Sequence, residues 1–391
     1  MKEQKLEQNK RIQWLDGIKW LACFMVFFSH FYGYFYGKCD VKPNVHGVLA
    51  AFLGTGYNIF INGNFWMCMF CVISGYFAYK KEIKSLRELL VALVNRYLRF
   101  FLPFLCVNFL ALLIDRTIGF QNGVYGVLLP NTWVGEYYNF TATPWIALRA
   151  SIKLSAELDC PLWMIYPLFV GTCLIYVCKY LQNKVRPAYV NGCMSLLLIG
   201  VWVIPSLREN YLYSMVTLIG CFLAIIWDKK WFVCKSSWLH AIALVFVFVM
   251  IGGLQSQLFH FLEQWITVPE GAINVCNGIY ATIMLVTIGN AQEIKKVLEA
   301  PIITIGKELS FAVYVLHWLV LSAFSLRVYG KLRECGMNVT AIFCVNFILT
   351  TVLLLFLAVI YHKTVERLVT LVMKQWNTCF RKMLKSEKYK K

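Results

Sequence analysis

Charged residues are scarce in this chain, and acids most of all: 15% of its 391 residues are charged, with 20 Asp and Glu against 38 Lys and Arg. A water-soluble globule of this length needs more polar surface than that, and 59% hydrophobic residues with a mean hydropathy of +0.61 point to a membrane protein. The excess of Lys and Arg does not indicate a nucleic-acid partner, because the basic residues lie in short runs between apolar blocks and form no single polar face. Phosphate-binding loops of the G-x-x-x-x-G-K-[ST] and G-x-G-x-x-G kinds are missing, which removes nucleotide hydrolysis and dinucleotide chemistry, and no G-x-S-x-G elbow offers a serine nucleophile. Cys68 and Cys71 have metal-like spacing but no second Cys/His pair nearby, so no metal is expected. The 15 cysteines sit mostly inside apolar blocks, where a thiol behaves as a small hydrophobe, and give no disulfide framework. Low-complexity runs, internal repeats and a separate soluble domain are also lacking.

What the chain has instead is long apolar runs. A hydrocarbon core of about 30 Å takes about 20 helical residues. That template places ten spans near 14–36, 57–79, 97–114, 161–181, 188–204, 210–227, 238–254, 271–289, 308–327 and 340–362. The expected fold is all-α and polytopic, one transmembrane domain over 1–391 with short basic tails at 1–13 and 363–391. The first span is too long, and its flank too rich in Lys and Glu, for a cleaved signal. Alternate connections carry 27 and 9 Lys and Arg, the larger number on the side of both termini, which makes those termini cytoplasmic. The longest outer connection, 115–160, contains TPWIALRASIKLSAEL, read as an amphipathic helix lying on the outer face.

The first span holds polar groups in an apolar setting. In LDGIKWLACFMVFFSH, Lys19 and His30 are eleven positions apart, so they differ by about 20° around a helix and about 16 Å along it. Asp16 lies one turn before Lys19. Ionisable groups at such positions face a bundle interior or a wet cavity. The plainer account has Asp16 and Lys19 snorkelling to the interface and His30 satisfied by a neighbour. Ser310, Tyr314 and His317 recur at i, i+4 and i+7 in the ninth span, a second polar stripe. Arg96 and Arg99 are three apart and share a face at the start of the third span, as topology anchors or as a phosphate clamp. Ser74 and Gly75 permit close helix packing, and Trp163 opens the fourth span at the outer interface, as an anchor or a sugar-stacking ring. His46, His240, His260 and His362 fall in loops or at span ends and are read as interfacial.

These pieces resemble the membrane acyltransferase 3 family. RIQWLDGIKWLACFMVFFSH is similar to its signature of a basic residue, ten others and His. FCVISGYF (70–77), RYLRFFLP (96–103), PLWMIYPLF (161–169), LSFAVYVLHWLV (309–320) and the Glu366 of TVERLV follow in the family's order along nearly the whole chain. Many relatives carry Arg where this chain has Lys19. The resemblance implies a ten-helix protein of a bacterial plasma membrane that moves an acyl group, most often acetyl, from cytosolic acyl-CoA to a hydroxyl of a cell-surface or lipid-linked carbohydrate. Acyl-CoA is then a substrate, and no permanently bound cofactor is expected. On that reading His30 is the base that activates the hydroxyl, or the group that first accepts the acyl unit. Histidine's ordinary pKa of about 6.5 suits the task. Asp16 and Lys19 hold the polar path, Arg96 and Arg99 the donor phosphates. Ser310, Tyr314, His317, Trp163 and Glu366 line the cavity or meet the acceptor. A transporter of a glycolipid or small solute is the rival from another class, although the halves 1–195 and 196–391 show no matching Gly- or Pro-broken helices. A structural or sensing component is a third.

Overall fold

The computed structural model describes residues 12–36, 56–129, 132–138, 140–268 and 271–386, and every regular element among them is helical. Each of the ten apolar segments read from the sequence carries a helix. In chain order these are α1 (Gln13–Tyr36), α2 (Gly63–Tyr79) and α3 (Leu86–Thr117), then, after a short helix α4 (Pro144–Lys153), α5 (Cys160–Leu181), α6 (Pro187–Val203) and α7 (Pro205–Asp228). They continue as α8 (Ser237–Glu263), α9 (Ala272–Asn290), α10 (Ser310–Glu334) and α11 (Val339–Tyr361). A final helix, α12 (Arg367–Ser386), follows. Among the described residues, seven helices are long and apolar enough to cross a membrane: α3, α5, α7 from Tyr211, α8, α9, α10 and the helix that begins at Val339. A bilayer leaves no water to satisfy backbone groups, so an all-helical chain is the expected solution.

Local chemistry sets the helix ends. The second span was expected to begin near residue 57, but α2 starts at Gly63, because the Asn62 side chain caps it by accepting a hydrogen bond from Phe65 N at 3.0 Å. Residues 56–60 form a separate 3₁₀ turn. Helix α2 crosses α7 at very short range. A Cβ on Gly75 would lie 1.9 Å from Thr217 O, and one on Gly220 would lie 2.1 Å from Val72 O. The close packing expected of Gly75 is therefore present, and its partner is Gly220.

The helix expected in the 115–160 connection exists as α4, capped by Thr143 Oγ1 and stopped at Leu154 in the left-handed conformation. Its expected position, spread flat over the outer face, is corrected. Arg116 Nη2 donates to Ala142 O (2.7 Å), Asn108 Nδ2 to Ser151 Oγ (2.9 Å) and Tyr97 Oη to Ile152 O (2.9 Å). These contacts step back along nineteen residues of α3, about 28 Å of helix. The segment thus runs down beside α3 into the bundle, because the buried amide of Asn108 and the Tyr97 hydroxyl need partners that lipid cannot supply.

One end of the bundle collects charge. There Lys19 pairs with Asp16 (3.0 Å), Lys80 pairs with Asp228, Lys179 lies over the Tyr79 ring, and His362 bonds Glu366 (2.6 Å). The starts of α1 and α3 meet the ends of α2, α5, α7 and α11 at this end.

Candidate functional site

The two polar stripes found separately in the sequence lie against each other. Cys23 Sγ donates to Ser310 O at 2.8 Å, and His30 Nδ1 is 2.8 Å from His317 Nε2. From 23 to 30 and from 310 to 317 both chains advance seven residues, so α1 and α10 run parallel and in register. One turn further, Tyr34 Oη meets Ser322 Oγ at 2.7 Å. That step takes four residues in α1 and five in α10, and the additional residue falls where α10 widens into a π turn, Leu321–Ser325. Such turns concentrate at functional sites, and this one keeps the two helices in register past the histidines.

Hydrogen-bond logic fixes the tautomers of the neutral rings. His317 Nδ1 lies 2.7 Å from Tyr314 O and 3.3 Å from Val313 O. Carbonyl oxygens only accept, so Nδ1 carries the proton and Nε2 a lone pair. His30 Nδ1 must then donate to that lone pair, which leaves His30 Nε2 as the proton acceptor. The rings are parallel within 5°, with centroids 5.0 Å apart, and Trp318 stands edge-on to His30 at 5.5 Å. His317 is fully buried, whereas His30 is half-buried. The arrangement is a base with an inner support: His317 orients, and His30 presents Nε2.

A third element arrives with the returning chain beyond α4. Tyr314 Oη donates to Pro161 O, Tyr138 Oη to Leu158 O (2.8 Å) and Tyr137 Oη to Ala156 O (3.4 Å). Tyr137 also packs edge-on against Trp318 at 5.4 Å. Inside this tyrosine-held segment Asp159 is 1% exposed, and neither carboxylate oxygen has a hydrogen-bond partner among the described residues. Burial pushes its carboxyl well above the ordinary carboxylate range, which favours the neutral form. Asp159 was not singled out from the sequence. The signal was its place as the acid immediately before the apolar run CPLWMIYPLF.

The remaining expected residues divide. Ser310 and Tyr314 stand beside the pair, though Ser310 Oγ bonds back to Lys307 O (3.1 Å) and Gly306 O (3.3 Å) in its own chain. Asp16 and Lys19 lie at the charged end of α1, with Lys19 Nζ also 4.4 Å from the Phe77 ring centre. The pairing of Arg96 with Arg99 on one open face is corrected. Arg96 Nη2 turns into the bundle and donates to Ser74 Oγ (2.8 Å) and Thr172 Oγ1 (3.1 Å) over the Phe100 ring, whereas Arg99 is exposed. A guanidinium inside the bundle needs such partners, and Ser74 supplies one. Trp163 packs against Tyr213 at 4.9 Å, and Glu366 bonds His362, which also lies 3.7 Å from Glu308; neither touches the histidine pair. His240 bonds Cys234 O at 3.1 Å, His260 is exposed near Glu263, and His46 lies outside the described residues. Cys68 and Cys71 are buried in α2, and no group of three or more metal-ligating side chains forms among the described residues.

A family model described as "Acyltransferase domain" matches residues 12–361, which takes in both stripes, α3 and the returning segment. No curated protein and no solved structure matches the chain.

Proposed function

The chain belongs to the membrane acyltransferase 3 family, and from that premise we propose that it moves an acyl group, acetyl in the simplest case, from cytosolic acyl-CoA to a carbohydrate hydroxyl at the far side of a bacterial plasma membrane. In this reading ten helices cross the bilayer and both termini are cytoplasmic. The collection of Lys and Arg at the Lys19 end supports that orientation. The observation that carries the proposal is the His30–His317 pair, which leaves one imidazole nitrogen, His30 Nε2, unprotonated and turned away from its support.

A hydroxyl attacks a thioester poorly until a base removes its proton as the new bond forms. His30 Nε2 takes that proton while the acceptor oxygen adds to the thioester carbonyl carbon. When the intermediate collapses, the carbon–sulfur bond breaks and the imidazolium returns the proton to the departing CoA thiolate. During the charged stage His30 Nδ1–H still donates to His317 Nε2, now as a charge-assisted hydrogen bond, which is stronger than the neutral bond in the resting site. Asp159 and the tyrosines around it form the acceptor side in this scheme. A neutral carboxyl can donate to one sugar oxygen and accept from another, and aromatic rings suit the apolar faces of sugars. The donor enters from the Lys19 end, where exposed Arg99 is the arginine placed to meet its phosphates, while Arg96 holds α3 against Ser74 and Thr172.

The test is isotope transfer. Vesicles carrying the purified chain receive acyl-labelled CoA on one side and a surface glycan or glycolipid acceptor on the other. Label appearing in the acceptor as a base-labile ester supports the proposal. Movement of unmodified acceptor across the membrane, with no label gained, refutes it and describes a carrier.

A further inference from the structure

Beyond Tyr361 the chain continues as helix through residue 386. It passes through a wide helical turn, His362–Glu366, into the 20-residue helix α12, whose sequence RLVTLVMKQWNTCFRKMLKS contains no acid. At 100° per residue, positions 367, 374, 381 and 385 of α12, all Lys or Arg, fall within about 40° of one another, and Lys363 precedes them in the wide turn. A second sector holds Leu368, Leu371 and Val372, which are 57%, 51% and 37% exposed. On a third, Asn377 Oδ1 accepts from Asn95 Nδ2 of α3 at 2.8 Å.

The helix does not run alongside α3. Tyr361 Oη donates to Pro103 O at 3.4 Å. Between that contact and Asn95–Asn377 the C-terminal chain advances sixteen residues, about 24 Å, while α3 advances eight, about 12 Å. Helix α12 therefore slants away from the bundle axis. It does so beyond a span that already uses the hydrocarbon thickness, since the 42 residues Val339–Phe380 make about 63 Å of helix. His362, at its entry, faces Glu308, two residues from Gly306, which packs against Trp20 beside Lys19. The helix thus leaves at the charged end of the bundle.

We propose that α12 lies in the plane of the leaflet at that end and binds anionic phospholipid headgroups, with its Lys/Arg stripe on the phosphates and Leu368, Leu371 and Val372 in the acyl boundary. A second copy of this chain does not fit that place: the same cation stripe would face itself, with no acid in the helix to pair it. The proposal does not rest on the acyl-transfer chemistry.

Amide exchange followed by mass spectrometry tests it, with the full chain in nanodiscs of phosphatidylcholine alone or with an equal amount of phosphatidylglycerol. Exchange across 367–386 is expected to slow at least about tenfold in the anionic discs, given that each Lys or Arg near such a surface changes partitioning about fivefold. High salt should reverse the effect. The triple variant K363E/R367E/K374E should lose it, and L371E/V372E should lose protection with the stripe intact. Peptides of α1 and α10 should exchange as in the wild type throughout, which reports folding, and the milder pair R367Q/K374Q should fall between if the triple variant does not fold. Equal exchange in the two lipid compositions overturns the proposal. So does protection that appears in detergent and rises with protein concentration, which gives the apolar sector to a second copy.

Discussion

Replacing His317 by Leu tests the support without touching the base. In the resting site the His30–His317 bond joins neutral groups, worth about 0.5–1.5 kcal/mol, and when His30 carries the proton it becomes charge-assisted, worth about 1.5–3 kcal/mol. Only the difference, about 1–1.5 kcal/mol, acts on kcat, so the expected loss is about five- to thirteenfold. Neither substrate touches His317 in this account, and the KM values for donor and acceptor should stay near wild type. A glutamine there offers an oxygen that accepts from His30 Nδ1 and should restore part of the rate. The assay is steady-state acyl transfer in proteoliposomes, with thermal midpoints showing that the variants fold. A folded His317→Leu protein turning over at the wild-type rate refutes the assignment of His317 as the group that holds the base. A loss that appears wholly in acceptor KM moves His317 into the acceptor site.

Asp159→Asn should raise acceptor KM and remove a pH dependence of stability. Burial raises the native carboxyl's pKa above that of the unfolded one, which ionises near pH 3.9, so the wild-type unfolding free energy should fall as pH rises above that value until the native group ionises, by up to about 1.4 kcal/mol per pH unit, and the thermal midpoint should fall with it. The Asn variant should lack that slope, and an unchanged slope contradicts the buried neutral acid. Arg99→Ala should raise donor KM and spare the midpoint, whereas Arg96→Ala, which strips Ser74 and Thr172 of their partner, should lower the midpoint; the reverse pattern would exchange the two roles. Gly75→Leu should abolish folding, because even a Cβ there lies 1.9 Å from Thr217 O; normal membrane yield of that variant would contradict the α2–α7 crossing.

Periodicity made the two stripes legible, because a helix converts spacing into direction whatever its neighbours do. The sequence could not say that the stripes meet, since pairing depends on how α1 and α10 dock. Nor could it show the π turn that keeps Tyr34 opposite Ser322, which follows from packing rather than composition. Arg96 and Arg99 were visible as a pair, but their separation was not: a three-residue step leaves them on neighbouring faces, and the hydroxyls of Ser74 and Thr172 decide which one turns inward. Helix α4 was found by its amphipathic pattern and misplaced, because its polar edge, exemplified by Ser151, serves the buried Asn108 as well as it would have served water. Residues 363–391 were read as a basic tail by charge; the cations of 367–386, spaced at helical intervals with Leu and Val between them, lie in α12.

The most direct measurement of the central claim is a single-turnover experiment with wild type and His30→Ala in sealed vesicles, mixing acyl-labelled CoA with acceptor and following CoA release and acceptor ester together. The account predicts that the alanine variant inserts and folds normally but forms ester about 10²–10⁴-fold more slowly, the usual contribution of a positioned base. Ester formation by His30→Ala at the wild-type rate would contradict it.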